Sequence, residues 1–207
     1  DIRFVDRDGD DVLSIGANTA DDPGDRKVIG NSLPRYSYSF GGSFQWMGVD
    51  LSVLFQGVGR QHWYPGNEAN LFWGPFCRPH NTFLSQQFVD QLWSEDNPNS
   101  YFPRPRGYEA YGSYHTLSTP NDRYLQNIAY LRLKNLSIGY TLPVLKKTFQ
   151  NIRVYVTGEN LLYWSPMKKH NKYIDPEAAK STTSYTDGTG EVYNFSKTFS
   201  VGIDITF

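Results

Sequence analysis

Residues 193–207 read Tyr-Asn-Phe-Ser-Lys-Thr-Phe-Ser-Val-Gly-Ile-Asp-Ile-Thr-Phe. Tyr193, Phe195, Phe199, Val201, Ile203, Ile205 and Phe207 share one parity, broken only by Lys197. Asn194, Ser196, Thr198, Ser200, Gly202, Asp204 and Thr206 fill the other. Side chains of a strand point alternately to opposite faces, so this stretch predicts a strand with one oily face and one wet face. At ~3.3 Å per residue it reaches roughly 50 Å, and tilted by ~40° it still rises roughly 38 Å, more than the ~25 Å apolar band of a membrane barrel. A strand of a soluble antiparallel sheet alternates as well, so the rest of the chain has to decide.

It repeats the pattern. In residues 34–46, Tyr36, Tyr38, Phe40, Phe44 and Trp46 alternate with Ser37, Ser39, Gly41, Ser43 and Gln45. Met47-Gly48 predicts a tight turn, glycine supplying a positive φ. Val49, Leu51, Val53 and Phe55 then alternate with Asp50, Ser52, Leu54 and Gln56, up to Val58. In residues 128–142, Leu131 and Leu133 hold one parity while Leu136, Ile138, Tyr140 and Leu142 hold the other. Such a switch needs one extra residue, so a β-bulge is expected near Lys134-Asn135. Ile152, Val154 and Val156 alternate with Arg153, Tyr155 and Thr157 in a fourth strand.

The connections follow a rule of their own. The chain divides into a loop 1–33, a hairpin 34–58, a long loop 59–127, a second hairpin 128–161, a loop 162–192 and the closing strand 193–207. Within the long loop, Phe83, Leu84, Phe88, Val89, Leu92 and Trp93 recur at helical spacing, which predicts a helix over 82–94. Short and long connections alternate, as in outer-membrane barrels with short periplasmic turns and long external loops. A soluble sandwich has no reason to keep that order. The 16% aromatic content fits the aromatic girdles of a barrel, and a carbohydrate-binding sandwich as well. No apolar run is long enough for a transmembrane helix, and a mean hydropathy of −0.55 fits a barrel in which half of each strand is polar. The net charge of −1 gives no reason to expect nucleic acid, and the single cysteine, Cys77, excludes an internal disulfide. The start, Asp1-Ile2-Arg3-Phe4, lacks the basic and apolar regions of a signal peptide.

The segment Tyr130-Leu131-Arg132-Leu133-Lys134-Asn135-Leu136-Ser137-Ile138-Gly139-Tyr140-Thr141-Leu142-Pro143 resembles the penultimate hairpin of SusC/RagA-type TonB-dependent outer-membrane transporters. So do Val154-Tyr155-Val156-Thr157-Gly158-Glu159-Asn160-Leu161, Val28-Ile29-Gly30-Asn31, residues 50–59 and the closing strand. The resemblance implies a 22-stranded barrel, an N-terminal plug, a TonB box, and a SusD-like surface lipoprotein acting as a lid. It also implies an outer membrane location with the long loops facing the cell exterior. On this reading the chain supplies about five C-terminal strands of an all-β antiparallel transmembrane barrel. An odd number of strands cannot close, and an open edge in lipid leaves backbone groups unpaired at several kcal/mol each. The remaining barrel, the plug and the link to TonB are therefore expected as further polypeptide. Phe207 resembles the terminal aromatic signal read by the outer-membrane assembly machinery, and its deletion is expected to lower insertion.

Recognition residues are expected in the loops. Aromatic faces stack on sugar rings or peptide side chains, and cations add hydrogen bonds. Trp63, Tyr64, Trp73, Arg78, Trp93 and Arg106 are the candidates in the first long loop, with Trp164 and Lys168 in the next. The competing expectation is that these aromatics pack the loop's own core or the lid interface. Phe199, Val201, Ile203 and Ile205 are expected to face lipid, and Asp50, Gln56, Arg153, Glu159 and Asp204 to face the lumen. Asp6, Asp8 and Asp10 set carboxylates at alternate positions, as in the first half of a calcium loop. However, Asp11 stands where that loop needs Gly, and Ala17 where it needs Glu, so a solvated turn is the simpler reading. The four histidines form no zinc pair, no phosphate loop or nucleophile elbow is present, and nothing marks a glycosidase carboxylate pair. No enzyme and no cofactor beyond that calcium is expected. The sequence supports import of a nutrient oligomer, glycan or peptide. The alternative is a soluble or surface β-sandwich that binds carbohydrate.

Overall fold

The computed structural model describes residues 4–66, 69–73, 86–104, 106, 119–143, 149–179 and 194–207. The chain falls into two compact units. One comprises residues 1–31, 63–126 and 181–191, the other 32–62, 127–180 and 192–207.

The second unit is built on a five-stranded antiparallel sheet in sequence order. Its strands are β1 (Tyr36–Trp46), β2 (Val49–Gly59), β3 (Tyr130–Leu142), β4 (Asn151–Trp164) and β5 (Thr198–Thr206). Each has the ~9–11 residues that a tilted strand needs to cross a bilayer. β1 and β2 are joined by Met47-Gly48, with φ of 49° and 84°; two successive positive φ values make the type I′ turn that matches strand twist. Thr141 N–H bonds Gly48 O at 2.7 Å, and Gln150 N–H bonds Thr206 O at 2.8 Å. The short connections thus lie at one end of the sheet and the long ones at the other.

The register aligns the alternating residues into rows. Phe44, Leu51, Ile138, Val156 and Val201 form one row across all five strands. Trp46, Val49, Tyr140, Val154 and Ile203 form the next. This apolar face is uncovered: Phe44 is 60% exposed, Ile138 50% and Val201 76%. In a sandwich these side chains would be the core; among the described residues nothing covers them.

The expected bulge is present. Leu133 pairs with Phe55 and Asn135 with Leu54, leaving Lys134 as the extra residue. A second irregularity faces it: β4 passes from Glu159, opposite Asn135, to Leu162, opposite Leu133, with Asn160 at a φ of 52° between them. Two extra residues preserve parity where one reverses it, so β4 keeps its apolar set on even positions throughout.

Some expected boundaries shift. β4 runs on to Trp164, three residues past the expected 161. β5 begins only at Thr198. Residue 193 lies outside the described residues, and Phe195 has turned to the polar side, with Arg132 5.2 Å and Lys134 4.7 Å from its ring centroid. The pull of two cations on an aromatic face overrides the alternation there. The helix expected over 82–94 is α2, Gln86–Val89; residues 82–85 lie outside the described residues. After it Trp93 N–H bonds Phe102 O at 3.0 Å and Phe102 N–H bonds Gln91 O at 2.9 Å, so the chain is committed to a bridge before a further turn can form.

The first unit holds an aromatic core. Phe72 and Trp73 of α1 (Asn70–Trp73) and Phe102 are fully buried. Their rings meet edge to face at 4.8 Å (Phe72–Trp73) and 5.4 Å (Phe72–Phe102), the arrangement that ring quadrupoles favour.

Candidate functional site

Three groups of polar residues stand out, two on the sheet's polar face and one in residues 4–31. At the short-turn end, Arg153 of β4 reaches across β3 to Asp50 of β2. Its Nε and Nη2 donate to the two carboxylate oxygens at 2.8 and 2.6 Å, and Nη1 donates to Asp204 of β5 at 3.1 Å. The bridge skips a strand only because Gly139 lies beneath it: a Cβ there would stand 2.4 Å from Asp50 Oδ1 and 2.6 Å from Arg153 Nε. Arg153 also stacks 4.6 Å over Tyr155, whose ring covers Gly202. The lumen candidates Asp50, Arg153 and Asp204 are thus one ion-paired cluster.

At the long-loop end, Arg132 of β3 has its side chain 1% exposed. It pairs with Asp175, its Nε lies 2.8 Å from Glu177 Oε2, and its guanidinium stands 4.8 Å from the Tyr163 ring centroid. Lys134 donates to both Glu177 oxygens at 2.7 and 2.9 Å. The segment 165–179 is thereby folded onto the polar face. A 3-10 turn (Pro166–Lys169) starts it, with Met167 buried, and Asn171 Oδ1 accepts from the N–H groups of Tyr173 and Ile174 at 2.9 and 3.0 Å. Asn194 locks the return, accepting from Asp175 N–H at 2.9 Å and donating to Tyr173 O at 2.6 Å.

The candidate recognition residues divide sharply. Trp63 is 3% exposed and Trp73 0%; the Trp73 indole donates to Gly66 O at 2.8 Å. Both are packing residues, because a ring enclosed by other rings offers no face to a ligand. Tyr64 donates to Thr119 O at 3.0 Å and accepts from Asn121 at 3.1 Å. Burial pushes its phenol pKa up, and pushes that of Tyr124 up to about 12. Trp93 is half-buried and Arg106 is exposed, and Arg78 lies outside the described residues. Lys168 is tied down, its ammonium donating to Tyr163 O at 2.6 Å and lying 3.5 Å from that ring's centroid. Burial, then Lys197 and Arg132, lower its pKa. Trp164, 54% exposed, stands on the apolar face opposite Leu131. Phe199, Val201, Ile203 and Ile205 stand on that face too, all exposed.

In residues 4–31, Asp6, Asp8 and Asp25 each bring a carboxylate oxygen within 4.8 Å of the others. Asp10, expected as the third ligand, is not in that group; its Oδ1 accepts from Val12 N–H at 2.7 Å. Asp25, distant in sequence, takes the place. It accepts from Arg7 N–H at 2.6 Å and Ser14 N–H at 2.7 Å, and those bonds lower its pKa. Asp6 accepts from Gly9 N–H at 2.7 Å and Asp11 N–H at 2.8 Å. These carboxylates therefore knit the loop whether or not a cation joins them. Asp8 accepts from Asp10 N–H at 3.2 Å, which pulls its pKa down, yet burial and the charges of Asp10, Asp25 and Asp6 leave it raised.

Sequence reasoning missed both polar-face clusters as clusters. Asp50, Arg153 and Asp204 share the wet parity of their strands, which was visible. What was not visible was the register that sets Arg153 and Asp50 on either side of a glycine.

No protein-family model matches the chain. Over 99% of its length it is 28% identical to TonB-dependent receptor P26 and 30% identical to TonB-dependent receptor P3, both of Formosa agariphila. The chain is a segment of a TonB-dependent receptor. It spans 19% of the length of each of those relatives. Its fold matches the RagAB peptide importer in the open-open and closed-closed states, each at a TM-score of 0.59 and 23% identity over 91% of this chain and 19% of that one.

Proposed function

We propose that this segment forms part of the wall and the external loops of an outer-membrane transporter that imports nutrient oligomers under TonB drive, with a SusD-like lipoprotein as its lid. The observation that carries the reading is the sheet itself: five strands, one face exposed and apolar, the other laced with ion pairs. Hydrocarbon accepts the first and an aqueous lumen the second. Between glycan and oligopeptide cargo we favour oligopeptide, because the structural neighbour of matching fold is a peptide importer. The chain's share of the work is recognition and containment, with no bond-making chemistry.

The test uses the full-length receptor in its own outer membrane. Deleting its gene is expected to abolish growth on defined oligopeptides as sole nitrogen source while growth on free amino acids continues. Normal oligopeptide growth with loss of growth on one oligosaccharide would move the cargo to glycan. Recovery of the receptor in the soluble fraction without detergent would overturn the transporter reading altogether.

A further inference from the structure

β4 outruns its neighbour. Its last pair with β5 is Glu159 opposite Thr198, yet β4 continues to Trp164. Carried onward, the same register sets Leu161 opposite Ser196, Leu162 opposite Phe195 and Tyr163 opposite Asn194. The parities agree. Leu162 stands on the apolar face and is 52% exposed, and Phe195 shares the parity of Phe199, Val201 and Ile203. Residues 194–197 therefore have the pattern of a longer β5.

The chain does not take those pairs. Residues 194–197 leave β4 and are held by other contacts. Asn194 is tied to the folded-back segment 165–179, accepting from Asp175 N–H at 2.9 Å and donating to Tyr173 O at 2.6 Å. Phe195 is drawn to the polar side by Arg132 and Lys134. Where the two paths part, the hydrogen bonding is unfinished. Asn160, next after the last pair and at a positive φ, reaches Ser196 O with its Nδ2 only at 3.5 Å. Its Oδ1 is buried with no hydrogen-bond partner among the described residues. An orphaned buried acceptor raises the energy of the arrangement that contains it.

We propose that residues 194–197 are a two-position switch. In the position the structure shows, they lock segment 165–179 onto the polar face. In the other they extend β5 along β4, with Phe195 turned out beside Leu162 and Asn194 released from Asp175 and Tyr173. Segment 165–179 then loses the tie at its return end and keeps only its ion pairs to Arg132 and Lys134. The positions exclude each other, because the side chain of Phe195 cannot face both sides of the sheet. Two packings of one segment, each with its own contacts, are what a bistable element requires. The switch couples the closing strand to the segment that covers the polar face at the long-loop end. It does not depend on which cargo is carried.

The full-length receptor in detergent is followed by amide hydrogen exchange in peptides covering 160–164, 165–179 and 194–197. Asn194→Ala removes both bonds to segment 165–179. Changes of opposite sign are expected: exchange roughly five-fold faster in 165–179, and roughly five-fold slower in 160–164 and 194–197 as ladder bonds form between them. Lys134→Gln, which loosens Phe195 without touching Asn194, should move the three peptides in the same directions. Adding Phe195→Ser to Asn194→Ala removes the apolar gain of the extended position and should reverse the slowing. Faster exchange in all three peptides in either single variant, or unchanged exchange in 160–164, would overturn the switch and leave Asn194 a structural tie alone.

Discussion

Gly139 shows how much a single missing methyl group can decide. The Arg153–Asp50 fork passes through the volume a side chain would fill, so Gly139→Ala must displace a bidentate pair or distort β3. Overpacking of this kind costs about 1–3 kcal/mol. Refolding of the full receptor into lipid vesicles, followed by urea titration, should show that loss, and Asp50→Asn in the same background should cost little more because the fork is already broken. At the other extreme of exposure, Ile203 stands on the open face beside Val154. Ile203→Arg is expected to cost about 2–4 kcal/mol in the same assay; an unchanged midpoint would put that face somewhere other than lipid. The acidic loop responds to pH with two signs. Asp25's folded pKa lies below its ordinary 3.8, so its contribution is complete above that value and is lost as pH falls through the folded pKa. Asp8's folded pKa is raised, so its contribution runs the other way and is lost as pH rises through the raised value. Amide exchange at Arg7 and Ser14, which bond Asp25, should therefore quicken only in strong acid, below the pH at which Asp8 takes up its proton.

At the scale of elements, the bulge at Lys134 is what lets β3 show one apolar face on both sides of a parity switch. Removing Lys134 would turn either Leu131 and Leu133 or Leu136, Ile138 and Tyr140 to the polar face. Its deletion should abolish the heat-modifiable folded band on gels, whereas Lys134→Gln should keep it. The segment 165–179 depends on charge rather than register. Asp175→Asn leaves Arg132 without its closest partner in a nearly water-free site, a change that costs about 3–5 kcal/mol. Protease cleavage within 165–179 on whole cells is the readout, and faster cutting with an intact barrel is the expected result. The bulge could be read from the sequence because parity is a local property of the chain. The loop's anchorage could not: Asp175-Pro176 looks like any turn until Arg132, 43 residues earlier, is known to face the same side. Phe195 misled for a related reason, since its parity argued for lipid while the cations that hold it come from another strand. Trp63 and Trp73 offered ligand-stacking surfaces on composition alone, and only packing reveals that their faces are taken.

For the molecule as a whole, among the described residues β1 pairs only with β2, and β5 only with β4, so each presents a row of backbone donors and acceptors to further strands. Such edges template aggregation when left open. The 207-residue chain expressed alone is expected to fail to insert into vesicles and to precipitate on removal of denaturant. Co-expression with the remaining receptor polypeptide should rescue a folded, detergent-soluble complex. The strands and the alternation of their connections were plain in the sequence because a bilayer imposes its period on every crossing. The interior of the long loop was not, because aromatic clusters have no comparable period. The buried Arg132 pair also bears on receptor engineering. Transplanting the 165–179 excursion from a relative, in the hope of changing cargo, would strand a guanidinium unless its footing on β3 travels with it. Chimeras of these receptors should be cut so that donor strand and donor loop move together.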